Sequence, residues 1–361
     1  MPPRQSATDP SRPATVREVA RAAGVSVATV SRVLNASGRV SAEADLAVRQ
    51  AAATLGFRPN LVGRSLRGVR TRTFGVMLPM LSHPVFAECL QAVESTAQTH
   101  GYAVTVSTTG YRAEAEEAAS ERLLQQRVDG LILTVADAGR SPLLDKLDAE
   151  SVPYVLAFNQ THGRRSASRS SISGKLRPSV GVDNRKAARQ MVEHLISLGH
   201  ERIELVAGQL TQSDRSRQRL AGYQDAMAAA GLKAGNPLEI AFDATDVRAQ
   251  LQDLLGRRQA PSALFCSNDQ LAMTVIRDLR RLGRQVPEEI SVVGFDGVHV
   301  GELMSPVLTT VVQPNADIGR TAVELLLQIL GGEVCLGPAI LHHTLRVGGT
   351  AQRCVSRVST A

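Results

Sequence analysis

The sequence predicts an α/β protein that has a small all-helical head followed by two doubly wound parallel-sheet lobes. Its 361 residues exceed what one compact core usually holds, so two or three domains are expected. Residues 14–58 contain short helical patterns separated by a glycine. From Thr73 onward, apolar strands alternate with amphipathic helices, which is typical of parallel sheets covered on both faces.

The excess positive charge lies in the head. Residues 1–72 hold 12 arginines and four acidic residues, whereas residues 73–361 hold 29 basic and 30 acidic residues. A basic segment ahead of a neutral body favours a polyanion as the partner of that segment. A solubilising basic tail would have the same charge, so the motifs must decide between the two. Residues 1–13, rich in Pro, Ser and Arg, are predicted to be a disordered tail.

Two short helices separated by Gly24 predict a helix-turn-helix domain over residues 14–58. Thr15 and Glu18 have the spacing of a capping box, and Ser26 can cap the second helix. A third helix should follow and close a small core. Its apolar residues are Leu46, Ala47, Val48, Ala51 and Leu55.

The second helix carries the predicted DNA contacts. Ala28 and Arg32 are four residues apart and share the face opposite Val30. With Val27 they are expected to face base edges, because a guanidinium suits a guanine edge and the apolar side chains suit a thymine methyl group. Side chains of the same helix with hydroxyl or amide groups suit phosphate oxygens, which position the protein without specifying sequence. They are Thr29, Ser31 and Asn35.

Residues 59–72 are predicted to form a hinge helix or linker. Pro59 breaks the preceding helix, Asn60 can cap the next one, and one or two helical turns follow. So short a helix is unstable alone in water, and Gly63 costs it about 1 kcal/mol more. Leu66 is an apolar residue among arginines. It is either a wedge that enters the minor groove or an ordinary linker leucine that packs on a neighbour.

The stretch TVREVARAAGVSVATVSRVLN at 15–35 closely resembles the DNA-binding head of the lac repressor/galactose repressor (LacI/GalR) family of transcriptional regulators. The resemblance extends from about residue 14 to about residue 351. Segments of the body occur in the family's order and spacing: VDN at 182–184, LGH at 198–200, RLAGY at 219–223, SND at 267–269, VGFD at 293–296 and LTTVVQP at 308–314.

The resemblance has consequences for the head. It implies that Val27, Ala28 and Arg32 contact bases and that Asn60 belongs to the DNA-binding segment. It also implies that Leu66 intercalates from the minor groove at the centre of a palindromic operator. Gly63 departs from the alanine common in the family, which should make the hinge helix more dependent on DNA.

For the body, the resemblance implies two periplasmic-binding-protein-like lobes. The first is expected to comprise 73–159 and 312–336, and the second 160–311 and 337–361. Ligands of such sheets bind beyond the carboxyl ends of the strands. The resemblance implies that an effector is bound there by Phe86, Arg219, Asn268, Asp296 and Gln313.

An arginine and an aspartate that face one pocket suit a polyhydroxylated or anionic molecule, although Arg219 and Asp296 could instead form a structural salt bridge. Asp269 is expected to cap its helix. The charged stretch 208–218 departs from the family pattern, so that Arg215 or Arg217 could reach the ligand, which would indicate an acidic sugar. The Ser- and Arg-rich stretch 160–178 is expected to be a surface loop, with a second DNA contact as the alternative.

No motif of enzyme chemistry is present. The sequence lacks GxxxxGK[ST], GxSxG, HExxH and EF-hand patterns, so we expect no catalytic residues, no metal and no cofactor. A sugar-modifying enzyme would not need the basic head. An export-type sugar receptor would need a signal peptide, whereas residues 1–14 have no apolar core. A regulator that responds to a protein partner or a nucleobase remains open as an alternative.

These observations predict a cytoplasmic repressor, active as a homodimer on double-stranded palindromic DNA and controlled by a small effector such as a sugar or sugar acid. No apolar run approaches the ~18 residues that a membrane helix needs. The cysteines at 89, 266, 335 and 354 are far apart in the sequence and are expected to be reduced thiols.

Overall fold

A computed structural model describes residues 14–34, 38–57, 70–160, 176–241, 244–334 and 337–354. Predictions for the tail 1–13, the hinge residues 58–69 and most of the loop 160–178 lie outside the described residues. The chain divides between residues 71 and 72 into two units, a head and a body, each of which is described by itself.

The head has three described helices, α1 (Val16–Ala22), α2 (Val27–Leu34) and α3 (Ala42–Thr54). The predicted capping box begins α1: the Thr15 backbone N–H donates to the Glu18 carboxylate at 2.6 Å, and the Glu18 N–H donates to the Thr15 hydroxyl at 3.4 Å. Gly24 has a φ of 62°, the left-handed conformation that turns the chain into α2.

The head core is smaller than predicted. Val19, Val30 and Val48 are completely buried, and they join all three helices. Leu46 is 58% exposed and Leu55 is 39% exposed, so their predicted place in this core is wrong. Leu46 points away because it lies roughly 200° around α3 from Val48. Leu55 follows the last helical residue.

The body alternates strands and helices. Its described strands are β1 (Thr73–Leu78), β2 (Ala103–Thr108), β3 (Gly130–Leu133), β4 (Tyr154–Ala157), β5 (Ser179–Val182), β6 (Ile203–Gly208), β7 (Leu238–Ile240), β8 (Ala263–Cys266), β9 (Ser291–Asp296), β10 (Thr309–Val312), β11 (Pro338–Leu341) and β12 (Thr344–Arg346). Its described α-helices are α4 (Pro84–Thr99), α5 (Ala113–Gln125), α6 (Pro142–Ala149), α7 (Asn184–Ser197), α8 (Asp214–Ala229), α9 (Arg248–Leu255), α10 (Asp269–Arg281) and α11 (Asn315–Leu330).

Two six-stranded sheets form the two lobes, which confirms the predicted fold class. The first sheet has the order β11-β5-β4-β3-β1-β2 and is parallel throughout. The second has the order β12-β10-β9-β8-β6-β7 and is parallel except for the β10–β12 pair. α-Helices lie between β1 and β4, between β5 and β9, and between β10 and β11, as parallel connections usually require.

The chain crosses between the lobes at residues other than those predicted. β5 was assigned to the second lobe, yet Ser179 and Val180 pair with β4 of the first sheet. β11 was also assigned to the second lobe, yet it pairs with β5. The crossings therefore lie at residue 183, at 313–314 and at 342–343. Hydrogen-bonding register between distant segments decides this, and the order of elements along the chain cannot show it.

Side-chain caps set the starts of two helices near the carboxyl ends of the strands. Helix α8 begins at Asp214, because the Ser213 hydroxyl accepts the N–H of Ser216 at 3.2 Å. Asn268, rather than Asp269, caps α10, since its side-chain oxygen accepts the Leu271 N–H at 2.7 Å. Arg219 therefore lies in the second turn of α8.

Helices α7 and α8 pack closely because Gly222 of α8 has no side chain. A β-carbon at this position would lie 2.1 Å from the Arg185 carbonyl oxygen and 2.9 Å from the Arg189 nitrogen. Next to it, Tyr223 is completely buried and its hydroxyl donates to the Ile203 carbonyl at 2.9 Å. Within the described residues, no helix is both long and apolar enough to cross a membrane.

Gly222→Ala should therefore destabilise the body. The added methyl group meets backbone atoms that cannot move separately, and overpacking of this kind costs about 1–3 kcal/mol. Urea unfolding measures the change in free energy. Gln224→Ala, an exposed change on the same helix, is the control and should stay within about 0.5 kcal/mol of the parent protein. Equal stability of both variants would contradict the close approach of the two helices.

Candidate functional site

The exposed face of α2 is the first candidate site. Ser26 caps this helix, since its hydroxyl accepts the Thr29 N–H at 3.1 Å. Val27 is 44% exposed, and Ala28 and Arg32 are exposed beside it. The opposite face carries Val30 and Val33, which are buried against the other helices of the head.

The described contacts place the other predicted DNA-binding residues as follows. Thr29 and Ser31 are half-buried at the edge of the exposed face of α2, and the Thr29 hydroxyl lies 2.9 Å from that of Ser26. Asn35, Asn60 and Leu66 lie outside the described residues. The geometry thus assembles an apolar and guanidinium surface from Val27, Ala28 and Arg32 on a helix whose orientation the buried valines set.

The second candidate site is a cleft between the two lobes, at the carboxyl ends of their strands. All five residues predicted to bind an effector line it. They are Phe86, Arg219, Asn268, Asp296 and Gln313. The fold thus brings together residues from five separate parts of the body, and their contact with a ligand remains a proposal.

Arg219 and Asp296 form the charged centre of the cleft. Arg219 is buried, donates from Nε to the Asn184 side chain at 2.9 Å and from Nη1 to the Ser267 carbonyl, and stacks on the Phe295 ring at 3.6 Å. Its Nη1 lies 3.5 Å from Asp296 Oδ1. Burial lowers the pKa of Arg219 to about 10, against the effect of the nearby Asp296 carboxylate.

The two carboxylate oxygens of Asp296, which lines the cleft, have different neighbours. Its Oδ1 accepts from Gln313 Nε2 at 2.8 Å, whereas Oδ2 has the His83 ring nitrogen Nε2 at 3.7 Å, which is too far for a hydrogen bond. Burial raises the pKa of Asp296, and Arg219 opposes that rise. The carboxylate can therefore accept hydrogen bonds from a polar ligand.

Aromatic side chains of the first lobe form the opposite wall. Phe86 packs edge-on against Phe158, with ring centres 5.5 Å apart, and Tyr111 lies 6.4 Å away on its other side. Tyr111, Phe158 and Asp296 all have positive φ, at 61°, 68° and 124°. Such strain persists only where packing imposes it, and it is frequent at functional sites.

The start of α8 joins the two lobes at one end of the cleft. Asp214 Oδ2 accepts from the Ala138 N–H at 3.0 Å and from Asn159 Nδ2 at 2.8 Å. The Asp214 N–H in turn donates to the Ala136 carbonyl at 2.9 Å. Arg217 pairs with Asp137 of the first lobe at 2.6 Å, which places it outside the cleft, whereas Arg215 lines the cleft.

Sequence reasoning missed several residues that line the cleft. His83, Tyr111 and Phe158 had no signal, because they lie on loops or at strand ends that only folding brings together. Asn268, predicted to contact the effector, lines the cleft, but its side-chain oxygen caps α10. Asp269, assigned a capping role, instead accepts from the Val298 N–H at 2.9 Å and from the Thr310 hydroxyl.

A helix-turn-helix head followed by a two-lobed body with a polar cleft defines the class of ligand-binding transcriptional regulators. The chain belongs to the LacI family. The family model described as bacterial regulatory proteins, lacI family, matches residues 15–60. The model described as periplasmic binding proteins and sugar binding domain of LacI family matches residues 71–354.

Two repressors and one solved structure are similar to this chain over most of its length. The ribose operon repressor of Haemophilus influenzae is 32% identical, over 87% of this chain and 91% of its own. The HTH-type transcriptional repressor CytR of Escherichia coli is 31% identical, over 94% of this chain and 96% of its own. The lac repressor dimer bound to operator and the anti-inducer ONPF superposes with a TM-score of 0.83 at 30% identity, over 94% of this chain and 100% of that one.

His83 should make stability depend on pH. Burial lowers the pKa of its ring from 6.5 to about 4. The Asn268 side chain and Glu88 raise this pKa, and the positive charge of Arg219 lowers it further. Between these values the unfolded chain binds a proton that the folded chain does not, so stability should fall as the pH falls from 6.5 to 4. The steepest slope is about 1.4 kcal/mol per pH unit.

Urea unfolding across this pH range, compared with His83→Gln, isolates the effect. The variant cannot take up the proton, so the parent protein should lose more stability than the variant on acidification. Buried carboxyl groups with raised pKa, such as Asp296 and Glu116, act in the opposite direction in both proteins and cancel in the difference. Parallel profiles would refute the low pKa.

Proposed function

We propose that the chain represses transcription as a homodimer on a palindromic operator, and that a small polar molecule in the interlobe cleft sets its operator affinity. The observation that carries the proposal is the buried Arg219–Asp296 pair at the carboxyl ends of the second-lobe strands, in a chain whose head exposes Arg32. The pair supports ligand binding and the head supports DNA binding.

Base recognition is assigned to Val27, Ala28 and Arg32. The three side chains are exposed, and the buried Val30 and Val33 behind them hold α2 in one orientation. A guanidinium can donate two hydrogen bonds to a guanine edge in the major groove. The arginine-rich composition of residues 1–72 supports non-specific attraction to phosphates in addition.

The ligand is assigned to the polyhydroxylated class. If Arg219 and Asp296 were only a structural salt bridge, we would expect a short hydrogen bond between them. Instead they lie 3.5 Å apart, Arg219 donates to Asn184 and Ser267, and Asp296 lines the cleft and accepts from Gln313. A carboxylate oxygen and a nearby guanidinium suit ligand hydroxyl groups, and Phe86 supplies an apolar face for a sugar ring.

The remaining assignments follow from family membership. The lac repressor structure that superposes on the chain is a dimer bound to operator, which supports a homodimer here. The relatives are transcriptional repressors, which supports a regulator that is not an enzyme and that acts in the cytoplasm. We propose that the ligand is an inducer. It binds more tightly to the conformation that has weak affinity for DNA, and it thereby lowers the affinity for the operator.

Arg32→Ala should lose about 1–3 kcal/mol of discrimination at one base pair of each half-site, because the guanidinium no longer reads that base. The operator is first selected from random duplexes with the full chain at physiological salt, and affinities for single-base variants are then compared. Arg49→Ala on α3, where the guanidinium pairs with Asp45 at 2.7 Å, is the control and should keep the base preference.

An unchanged preference in Arg32→Ala would remove the base-contact role from this arginine. If the parent protein selected no sequence at all, the proposal of an operator-binding repressor would be wrong.

Asp296→Asn should leave operator affinity in the absence of ligand unchanged but lower ligand affinity at least ~10-fold, because hydrogen bonds to a charged acceptor contribute about 1.5–3 kcal/mol. Release from operator is measured against a panel of sugars and sugar acids. Asp317→Asn, which removes an exposed carboxylate paired with Arg320 on α11, is the matched control. A normal ligand response in Asp296→Asn would exclude this carboxylate from the ligand site.

A further inference from the structure

Arg215 is a buried cation of the cleft whose hydrogen-bonding capacity is not filled. Only 5% of the residue is exposed. Its Nη1 donates to the Val135 carbonyl at 3.0 Å and to the Asp214 carboxylate at 3.1 Å. Its Nη2 is buried and has no hydrogen-bond partner within the described residues. A buried donor without an acceptor is unfavourable, so a ligand that supplies an acceptor is favoured at this position.

The nearest carboxyl groups do not supply that acceptor. Asp214 already accepts from Ala138 and Asn159 through Oδ2 and from Arg215 through Oδ1. Glu116 accepts from the Ala136 N–H at 2.7 Å, and burial raises its pKa to about 7, so it is only partly ionised near neutral pH. Burial disfavours the charge of Arg215, but Asp214, Tyr111 and Glu116 outweigh it, so the pKa of Arg215 is raised and the guanidinium stays charged.

A second guanidinium lies close to the first. Arg219 follows Arg215 by four residues and shares the same face of α8, and both line the cleft. The positive charge of Arg215 contributes to the lowered pKa of Arg219. The Tyr111 ring centre lies 5.8 Å from the central carbon of the Arg215 guanidinium, which closes this end of the cleft. An anion bound here would relieve the repulsion between the two arginines.

We infer that the effector carries a carboxylate in addition to several hydroxyl groups, and that Arg215 Nη2 donates to this carboxylate. The inference rests on the proposed function of the cleft as the effector site. Arg215 and Asp296 both line the cleft: the guanidinium can only donate and selects the carboxylate, whereas the Asp296 carboxylate accepts from hydroxyl groups. A sugar acid, either aldonic or uronic, has this pattern of groups.

A carboxylate fits better than a phosphate ester. The structure leaves one guanidinium nitrogen of Arg215 unpartnered, which matches one oxygen of a monoanion. A phosphate group carries more charge and three terminal oxygens, and it is usually bound by several backbone or side-chain donors together.

The test is calorimetric titration of the full-length protein with matched compounds. The panel contains common pentoses and hexoses, their aldonic and uronic acids, and their phosphate esters. D-gluconate with D-glucose and D-galacturonate with D-galactose are two of the pairs. The acid should bind at least ~10-fold more tightly than its neutral partner, because a charge-assisted hydrogen bond contributes about 1.5–3 kcal/mol.

Variants at position 215 assign the preference to this side chain. Arg215→Gln keeps a polar amide but removes the charge, and should lower acid affinity at least ~10-fold while neutral sugars change little. Arg215→Lys keeps the charge and should recover part of the preference. It also serves as the second variant if the glutamine variant does not fold, which thermal melting reports. Arg217→Gln, which breaks the other arginine contact between the lobes, should retain the preference.

Equal binding of acids and neutral sugars, tighter binding of phosphate esters, or an intact acid preference in Arg215→Gln would each overturn the carboxylate inference. Each of these outcomes leaves the proposed effector function of the cleft in place. If no member of the panel bound or changed operator affinity, both the inference and the proposed effector function would be overturned.

Discussion

The Asp214 carboxylate joins the two lobes of the body, and the arrangement of the cleft depends on it. Its Oδ2 accepts from the Ala138 backbone and from Asn159, and both donors belong to the first lobe. The Asn159 side chain is itself held by the backbone of Val135: it accepts from the Val135 N–H and donates to the Val135 carbonyl, both at 2.9 Å. The first turn of α8 is thereby docked on the first lobe, and Arg215 and Arg219 face the cleft as a result.

The buried charges of the cleft explain why this contact matters for function. Ions removed from water are stable only when they are paired and hydrogen-bonded. Here the partners come from both lobes: Arg215 of the second lobe donates to the Val135 carbonyl of the first, and His83 of the first lies 3.7 Å from Asp296 of the second. A ligand that adds an acceptor or a donor between the lobes stabilises one relative arrangement of the lobes over another. This shift in population is the physical basis of regulation by a ligand.

The head depends on a much smaller core, and this constrains how it can be altered. Val19, Val30 and Val48 are buried there, whereas Leu46 and Leu55 remain exposed. The orientation of α2 rests on these few contacts, on the capping box at Thr15 and on the turn at Gly24. The side chains on its exposed face can vary with little effect on stability, which suits a surface that must match a particular DNA sequence.

Much of this organisation could be predicted from the sequence, because it depends on local patterns. The capping box at Thr15 and the left-handed turn at Gly24 are properties of neighbouring residues, and alternating apolar strands and amphipathic helices indicate two parallel sheets. Family motifs selected Arg219 and Asp296, which the structure places 3.5 Å apart.

The sequence by itself therefore determined the helical head, the two-lobed α/β body and the charged pair of the cleft. Only the tertiary structure decided that β5 and β11 belong to the first sheet and that His83, Tyr111 and Phe158 line the cleft. It also decided that Arg215 has a buried nitrogen with no hydrogen-bond partner among the described residues. The reason is that strand register, burial and hydrogen-bond satisfaction depend on residues far apart in the chain, whereas caps, turns and periodicity depend on neighbours.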